Sequence, residues 1–189
     1  MQLNIYNISH PIIKLLSNVI KQEKQNPVIS SYYYKNIGLL LIYEVLRKYI
    51  NVNKVYIKLM YSTKSLHFNE KNRNYIILTD LSNNYEMLGE IKILLPKIDI
   101  IDIKDTNSNI FESYIENRKI KYKTKNTEIF ILQQKLENIN VIQIIKRLTL
   151  KYQAPINHIN VACIISSKEI LNILAYEYPK LKVYTTEII

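Results

Sequence analysis

Hydrophobic residues recur at helical spacing in the first quarter of the chain, then give way to short apolar runs separated by amphipathic ones. Pro11 suits the first turn of a helix, with Ser9 or His10 before it as cap. Ile12, Leu15, Leu16, Val19 and Ile20 follow at helical spacing. A second helix is predicted over residues 29–50, with Ile37, Leu40, Leu41 and Val45 turned inward. Val55, Ile57 and Leu59 then alternate with Lys54, Tyr56 and Lys58, the pattern of a strand with one buried face.

Beyond this point strands and helices alternate. Tyr75–Leu78 reads as a buried strand and Tyr85–Leu95 as a helix ended by Pro96. Ile98–Ile103 and Glu128–Leu132 are predicted strands, and Asn140–Tyr152 is a predicted helix. Val161–Ile165 is a strand, Lys168–Tyr178 a helix before Pro179, and Leu181–Thr185 a last strand. Strand–helix–strand repetition with short links implies right-handed crossovers and a parallel sheet. The expected fold class is α/β: a central, mostly parallel sheet flanked by helices, with helices at the N-terminus. Residues 1–189 are expected to form one domain, since neither a linker nor an internal repeat interrupts the pattern.

Composition narrows the function classes. With 48% hydrophobic and 22% charged residues the chain is globular, and no apolar run approaches the roughly 18 residues that span a bilayer. A membrane is therefore not an expected partner. Cys163 is the single cysteine and lies in the apolar run Val161–Ile165, which predicts a buried structural thiol. The three histidines show no metal-ligand spacing. A formal charge of +10 raises the question of nucleic acid. The excess is nearly all lysine, spread along the chain, and Ile, Asn, Lys and Tyr make up roughly half of the residues. AT-rich codons account for that set without a nucleic-acid footprint. The densest basic stretch is Arg118-Lys119-Ile120-Lys121-Tyr122-Lys123-Thr124-Lys125. Extended, it would be an edge strand guarded by lysine, or else a phosphate-tracking ribbon with Tyr122 for stacking.

Ile8-Ser9-His10-Pro11-Ile12-Ile13-Lys14-Leu15 and Ile37-Gly38-Leu39-Leu40-Leu41-Ile42-Tyr43-Glu44 closely resemble the N-terminal signatures of uracil phosphoribosyltransferases. Near the C-terminus, Tyr178-Pro179-Lys180-Leu181-Lys182-Val183-Tyr184-Thr185 is similar to that family's His-Pro-Asp-Val-Glu-Ile-Tyr-Thr. Ile165-Ser166-Ser167-Lys168-Glu169-Ile170 sits where the family has a strand end followed by Ala-Ala-Pro-Glu-Gly. The resemblance implies a type I phosphoribosyltransferase-like domain over nearly the whole chain, and subunits that pair as a homodimer. It also implies a structural role for His10-Pro11 as a helix start. Tyr32-Tyr33-Tyr34 are expected to pack the N-terminal helices together rather than to stack on bases.

The family's reaction moves ribose 5-phosphate from phosphoribosyl pyrophosphate to uracil, giving UMP and pyrophosphate in pyrimidine salvage. It needs a backbone N–H cradle for the 5-phosphate, open only to small residues. It needs a carboxylate at the preceding strand end for the ribose hydroxyls and Mg²⁺, and cationic donors for the departing pyrophosphate. The family meets the first two needs with Asp-Pro-Met-Leu-Ala-Thr-Gly-Gly-Ser; the matching loop here is Gln133-Gln134-Lys135-Leu136-Glu137-Asn138-Ile139-Asn140. Gln133 has no charge for a metal, both glycines are absent, Ile139 falls in the cradle and Glu137 would repel phosphate. Ser82 of Leu81-Ser82-Asn83-Asn84 stands where the resemblance places an arginine, with Asn83 or Asn84 expected to take the positive φ of a glycine. The tyrosine–arginine segment of the family is not recognisable around Lys104-Asp105. Glu187-Ile188-Ile189 falls short of the family's uracil-binding segment.

No residue is therefore assigned a catalytic, cofactor-binding or metal-binding role. Mg²⁺ and phosphoribosyl pyrophosphate would be ligands only of a site that still worked. The favoured reading is a homologue of uracil phosphoribosyltransferase that has kept its fold and lost catalysis. Two others stay open: a residually active enzyme completed by a partner chain, and an RNA-binding or regulatory module on the same fold. The AT-rich composition, with no Arg- and Ser-rich leader at Met1-Gln2-Leu3-Asn4-Ile5, suggests a plastid-encoded protein; a cytoplasmic one is the alternative.

Overall fold

The computed structural model describes residues 3–20, 27–50, 52–69, 74–96, 98–103 and 127–189. In chain order the elements begin with β1 (Asn4–Asn7), α1 (Pro11–Ile20), α2 (Pro27–Leu46), β2 (Val52–Lys58), β3 (Thr63–Asn69), β4 (Asn74–Thr79) and α3 (Leu81–Leu94). They continue with β5 (Asp99–Asp102), β6 (Thr127–Leu136), α4 (Asn140–Leu150), β7 (Ile159–Ser166), α5 (Lys168–Glu177) and β8 (Lys182–Ile188). Six strands form one sheet in the order β1-β8-β7-β6-β4-β5, and every neighbouring pair is parallel. The expected α/β class, a parallel sheet flanked by helices with two helices at the N-terminus, is what the chain forms.

Apolar residues on both sides of the central strands follow from the two cores that they divide. Ile129 and Ile131 of β6, Val161 and Cys163 of β7, and Val183 of β8 enter the core under α4 and α5. Their neighbours Phe130, Leu132, Ala162, Ile164 and Tyr184 enter the core under α1, α2 and α3. A strand buried on both faces reads as a continuous hydrophobic run, as Val161–Ile165 does. Amphipathic α4 contributes Val141, Ile144, Ile145 and Leu148, and α5 contributes Ile170, Leu171 and Leu174.

Several expectations are corrected. The buried face of α1 carries Ile13 and Ser17, with Ile12 and Leu15 exposed. The Ser17 hydroxyl donates to the Ile13 carbonyl at 2.9 Å and meets Thr186 Oγ1 at 3.3 Å, which turns that face to the sheet. Helix α2 buries Ile37, Leu41 and Val45 as expected, but it starts at Pro27 and stops at Leu46. Strand β2 has no buried face: with β3 it forms a separate antiparallel ribbon whose residues 53–66 are all exposed. Strands β1 and β3 were not foreseen. Within Tyr32-Tyr33-Tyr34, Tyr32 is exposed and Tyr34 packs against the α1–α3 core. The basic octet 118–125 and Lys104-Asp105 lie outside the described residues. Among the described residues no helix is long and apolar enough to cross a membrane.

The Ile37-Gly38 motif has a steric basis. A Cβ built on Gly38 would lie 2.6 Å from Met87 Cβ and 2.7 Å from both the Cα and the carbonyl oxygen of Met87. Helices α2 and α3 therefore cross backbone against backbone, and Met87, with no exposed surface, seals the crossing. Gly89 meets nothing closer than Lys35 Cε at 4.0 Å.

Two predictions follow from the core. Gly38→Ala forces the helices apart and should cost about 1–3 kcal/mol, whereas Gly89→Ala, mid-helix in open space, should gain up to about 1 kcal/mol; paired urea melts read both. Burial pushes the Cys163 thiol up to about 12. A raised folded pKa means that the contribution is complete below the unfolded thiol value of about 8.5 and fades as pH rises towards 12. Unfolding free energy should therefore fall between about pH 8.5 and 10, below the tyrosine range, by up to about 1.4 kcal/mol per pH unit. Cys163→Ala should flatten that slope, and an unchanged slope in the variant would disprove the assignment.

Candidate functional site

Strand order reverses between β4 and β6. From β4 the chain crosses to β5 at one edge, whereas β6 leads through β7 to β8, which lies inside β1, the strand at the other edge. Connections leaving the carboxyl ends of these strands diverge and leave a crevice, the usual ligand position in open parallel sheets. A cavity of about 290 Å³ lies there, bounded by Asp80 and Asn83 after β4, Gln133 on β6, Glu137 and Asn138 before α4, and Ile103 and Ile144. Thr79 pins its floor, donating from Oγ1 to the Leu132 carbonyl at 2.7 Å.

The first wall is the start of α3. Asp80 is its N-cap, in extended conformation, and Oδ1 accepts from Ser82 N at 3.0 Å and from the Ser82 hydroxyl. Asn83 Nδ2 donates to Asp80 Oδ2 at 2.6 Å. Asn83 N and Asn84 N donate to the Asp80 carbonyl, and Leu81 N donates to Asp102 Oδ1 at 3.1 Å. The first four N–H groups of the helix, which at such a terminus attract anions, are all taken by carboxylate or carbonyl oxygens of this chain. Two carboxylates of this chain, Asp80 and Asp102, thus stand at the N-terminus of α3.

This arrangement overturns the expected turn at Leu81-Ser82-Asn83-Asn84. Those residues are the first turn of α3, and neither asparagine has positive φ; among the described residues only Gln153 does, outside glycine. Asn84 is instead a buried clamp. It donates from Nδ2 to the Asp80 carbonyl at 3.0 Å and accepts at Oδ1 from Gln134 N at 2.8 Å, tying α3 to β6. Gln134 Nε2 returns to the Asn83 carbonyl at 2.7 Å. Neither Asp80 nor Asp102 is part of the expected site, although an aspartate directly before a helix is a recognised start signal.

The second wall is the join between β6 and α4. The loop expected over Gln133–Asn140 is shorter: Gln133, Gln134, Lys135 and Leu136 continue β6, and only Glu137, Asn138 and Ile139 connect it to α4. Parallel pairing of Lys135 with Ile165 and Leu136 with Ser166 extends the strand, and Ser167 N donates to the Leu136 carbonyl. Ile139 is the N-cap in right-handed helical conformation, and its side chain caps nothing. Three residues without positive φ and with a β-branched cap do not form the nest of N–H groups that encloses a phosphate.

Among the described residues the lining of the cavity is polar, and Asp80 and Glu137 share it with one cation, Lys135. No three His, Cys, Asp or Glu residues among the described ones could hold a metal ion together. Of the two described carboxylates in the lining, Asp80 caps α3 and Glu137 has no further carboxylate grouped with it, and Gln133 offers only a neutral amide, so the described donor set does not fit Mg²⁺. His10 precedes α1, and its carbonyl accepts from Lys14 N, in keeping with a structural helix start. Cys163 is enclosed in β7, with Sγ 3.7 Å from the Tyr184 carbonyl.

At the opposite, amino end of the strands lies a denser polar network. Buried Glu128 faces His158 Nδ1 at 2.8 Å and accepts from Asn160 Nδ2 at 3.3 Å. Tyr49 donates its hydroxyl to Asn160 Oδ1 at 2.6 Å; the same oxygen accepts from Lys182 Nζ at 3.2 Å and lies 3.2 Å from the Tyr184 hydroxyl. Burial raises the pKa of both tyrosines, so the network holds them as neutral phenols.

A family model described as uracil phosphoribosyltransferase matches residues 7–188. The uracil phosphoribosyltransferase homolog of Porphyra purpurea is 26% identical over 188 residues, spanning 100% of this chain and 89% of its own length. That of Pyropia yezoensis is 22% identical with the same coverage. The solved structure of the AQ2163 protein from Aquifex aeolicus superposes with a TM-score of 0.72 at 16% identity, covering 97% of this chain and 86% of that one, which is a likeness of fold.

Removing the Asp80 carboxylate tests the first wall. Asp80→Ala frees several donors of α3 at once and should cost about 1–2 kcal/mol in chemical denaturation, whereas Asp80→Asn, an equally good cap, should lose much less.

Proposed function

The chain belongs to the uracil phosphoribosyltransferase family, and from that premise we propose that it keeps the family's fold without transferring a phosphoribosyl group. The observation that carries this reading is the filled N-terminus of α3, where Asp80 and Asp102 already satisfy the helix donors. Phosphoribosyl transfer builds negative charge on departing pyrophosphate, and a site that stabilises it must offer donors or cations. Here the incoming anion would meet carboxylates, so its binding and its departure are both disfavoured.

The β6–α4 connection supports the same conclusion independently. A 5-phosphate arriving at α4 would meet Ile139, with more than half of its surface exposed, and the Glu137 carboxylate. Each missing electrostatic contact of this kind lowers kcat by about a hundredfold to a thousandfold, so two of them together would lower it by about ten-thousandfold or more. A plastid location belongs to the same proposal, supported by the AT-rich residue usage and by relatives in Porphyra and Pyropia; mapping of the gene to nuclear DNA would count against it.

The decisive assay incubates folded protein at high concentration with labelled uracil, phosphoribosyl pyrophosphate and Mg²⁺ and looks for UMP. No UMP above the protein-free control is expected. Mg²⁺-dependent turnover that scales with protein concentration would overturn the proposal.

A further inference from the structure

The crevice between β4 and β6 holds polar side chains that the fold itself does not use. Asp80 is engaged as the cap of α3, and Asn84 and Gln134 are engaged in the clamp to β6. Gln133, Lys135, Glu137, Asn138 and Asn140 line the same cavity, and among the described residues their side chains make no hydrogen bond or ion pair. Lys135 and Glu137 carry opposite charges, and the other three side chains end in primary amides.

Once the cap and the clamp are set aside, the free lining is electrically balanced. It offers one carboxylate, one ammonium, and amides that both donate and accept hydrogen bonds. A bare anion meets Glu137 and a bare cation meets Lys135, each at a cost. An apolar ligand strips water from all five groups and replaces none of it. A zwitterion answers both charges at once, with its ammonium on Glu137 and its carboxylate on Lys135, in charge-assisted hydrogen bonds. The amides then favour a ligand side chain that also donates and accepts, and a carboxamide pairs with a carboxamide through reciprocal N–H···O bonds. Buried Ile103 and Ile144 give apolar surface to the methylenes between. The volume of about 290 Å³ falls just below the roughly 300–1,000 Å³ of small-molecule sites, which suits a ligand of amino-acid size.

We propose that the crevice binds a free α-amino acid with a carboxamide side chain, asparagine or glutamine, held between Glu137 and Lys135. The inference rests on the reading of the crevice as a site that does not take phosphoribosyl pyrophosphate, and it supplies that site with an occupant. Binding is the whole of the role: no bond is made or broken.

The test is isothermal titration of the full chain with L-asparagine and L-glutamine, with circular dichroism as the folding control. At least one of them should bind saturably, with a Kd of about 1 mM or tighter. Its N-acetyl derivative lacks the ammonium and its α-amide lacks the carboxylate, so each should bind about tenfold or more weakly. Glu137→Gln and Lys135→Met change exposed side chains and should each weaken the amino acid by a similar factor. Glu137→Gln should leave the affinity for the N-acetyl derivative unchanged, because that contact is already missing; Lys135→Met should do the same for the α-amide. A purely structural effect would move the amino acid and its derivatives alike. Absence of saturable binding by either amino acid overturns the inference, as does binding that neither variant alters. Displacement of the bound amino acid by phosphoribosyl pyrophosphate, or UMP formed on adding uracil, overturns instead the reading on which it rests. A protein that makes no UMP and binds neither amino acid sinks this inference alone.

Discussion

Burial of the central sheet on both faces is the constraint from which the rest of the structure follows. Once Ile129 and Ile131 of β6 enter one core and Phe130 and Leu132 the other, helices must cover both sides, and successive parallel strands need a crossover between them. All the connections from strand to helix then fall at one end of the sheet. The crevice between β4 and β6 is thus a consequence of topology rather than of chemistry. It persists whatever residues line it, so the fold alone does not carry the chemistry of a site.

The two ends of the sheet use polar residues in opposite ways. At the amino end the network from Glu128 through Asn160 to Tyr49 is closed: a buried carboxylate has both oxygens partnered and a histidine beside it. Closed networks of this kind fix register, because each member left unpaired would carry a desolvation cost of about 1–3 kcal/mol. At the carboxyl end Asn84, Gln134 and Thr79 tie α3, β4 and β6 together around the cavity, while its mouth stays open. Each of these side chains serves the fold as a pin or clamp between neighbouring elements.

Legibility in the sequence followed the same division. Strands β4, β6, β7 and β8 and helices α4 and α5 could be read because each carries a buried run or stripe that its neighbours reinforce. The failures arose where local pattern and tertiary role separate. Gln133, Gln134 and Lys135 looked like loop because they are polar, yet pairing with β7 keeps them extended to the buried Leu136. Leu81 to Asn84 were expected to turn because a resemblance placed a glycine there. Asp80 instead starts a helix at that point, and helical geometry needs no positive φ. Four-residue β1 has too short a pattern to register; it is fixed by pairing with β8 at the far end of the chain.

Strand β2 shows the limit of periodicity most plainly. Alternation of Val55 and Ile57 with lysines states that one face is apolar, and it does so correctly. It does not state what covers that face. In a helix–sheet domain the intramolecular core is the default answer, but a ribbon projecting from the α2–β2 junction has no described core residue over it. The close α2–α3 crossing at Gly38 and Met87 brings both helices onto the sheet and leaves their outer groove as a second unfilled apolar surface. Periodicity reports which residues share a face, and only the placement of the strand reports whether the chain's own core covers that face.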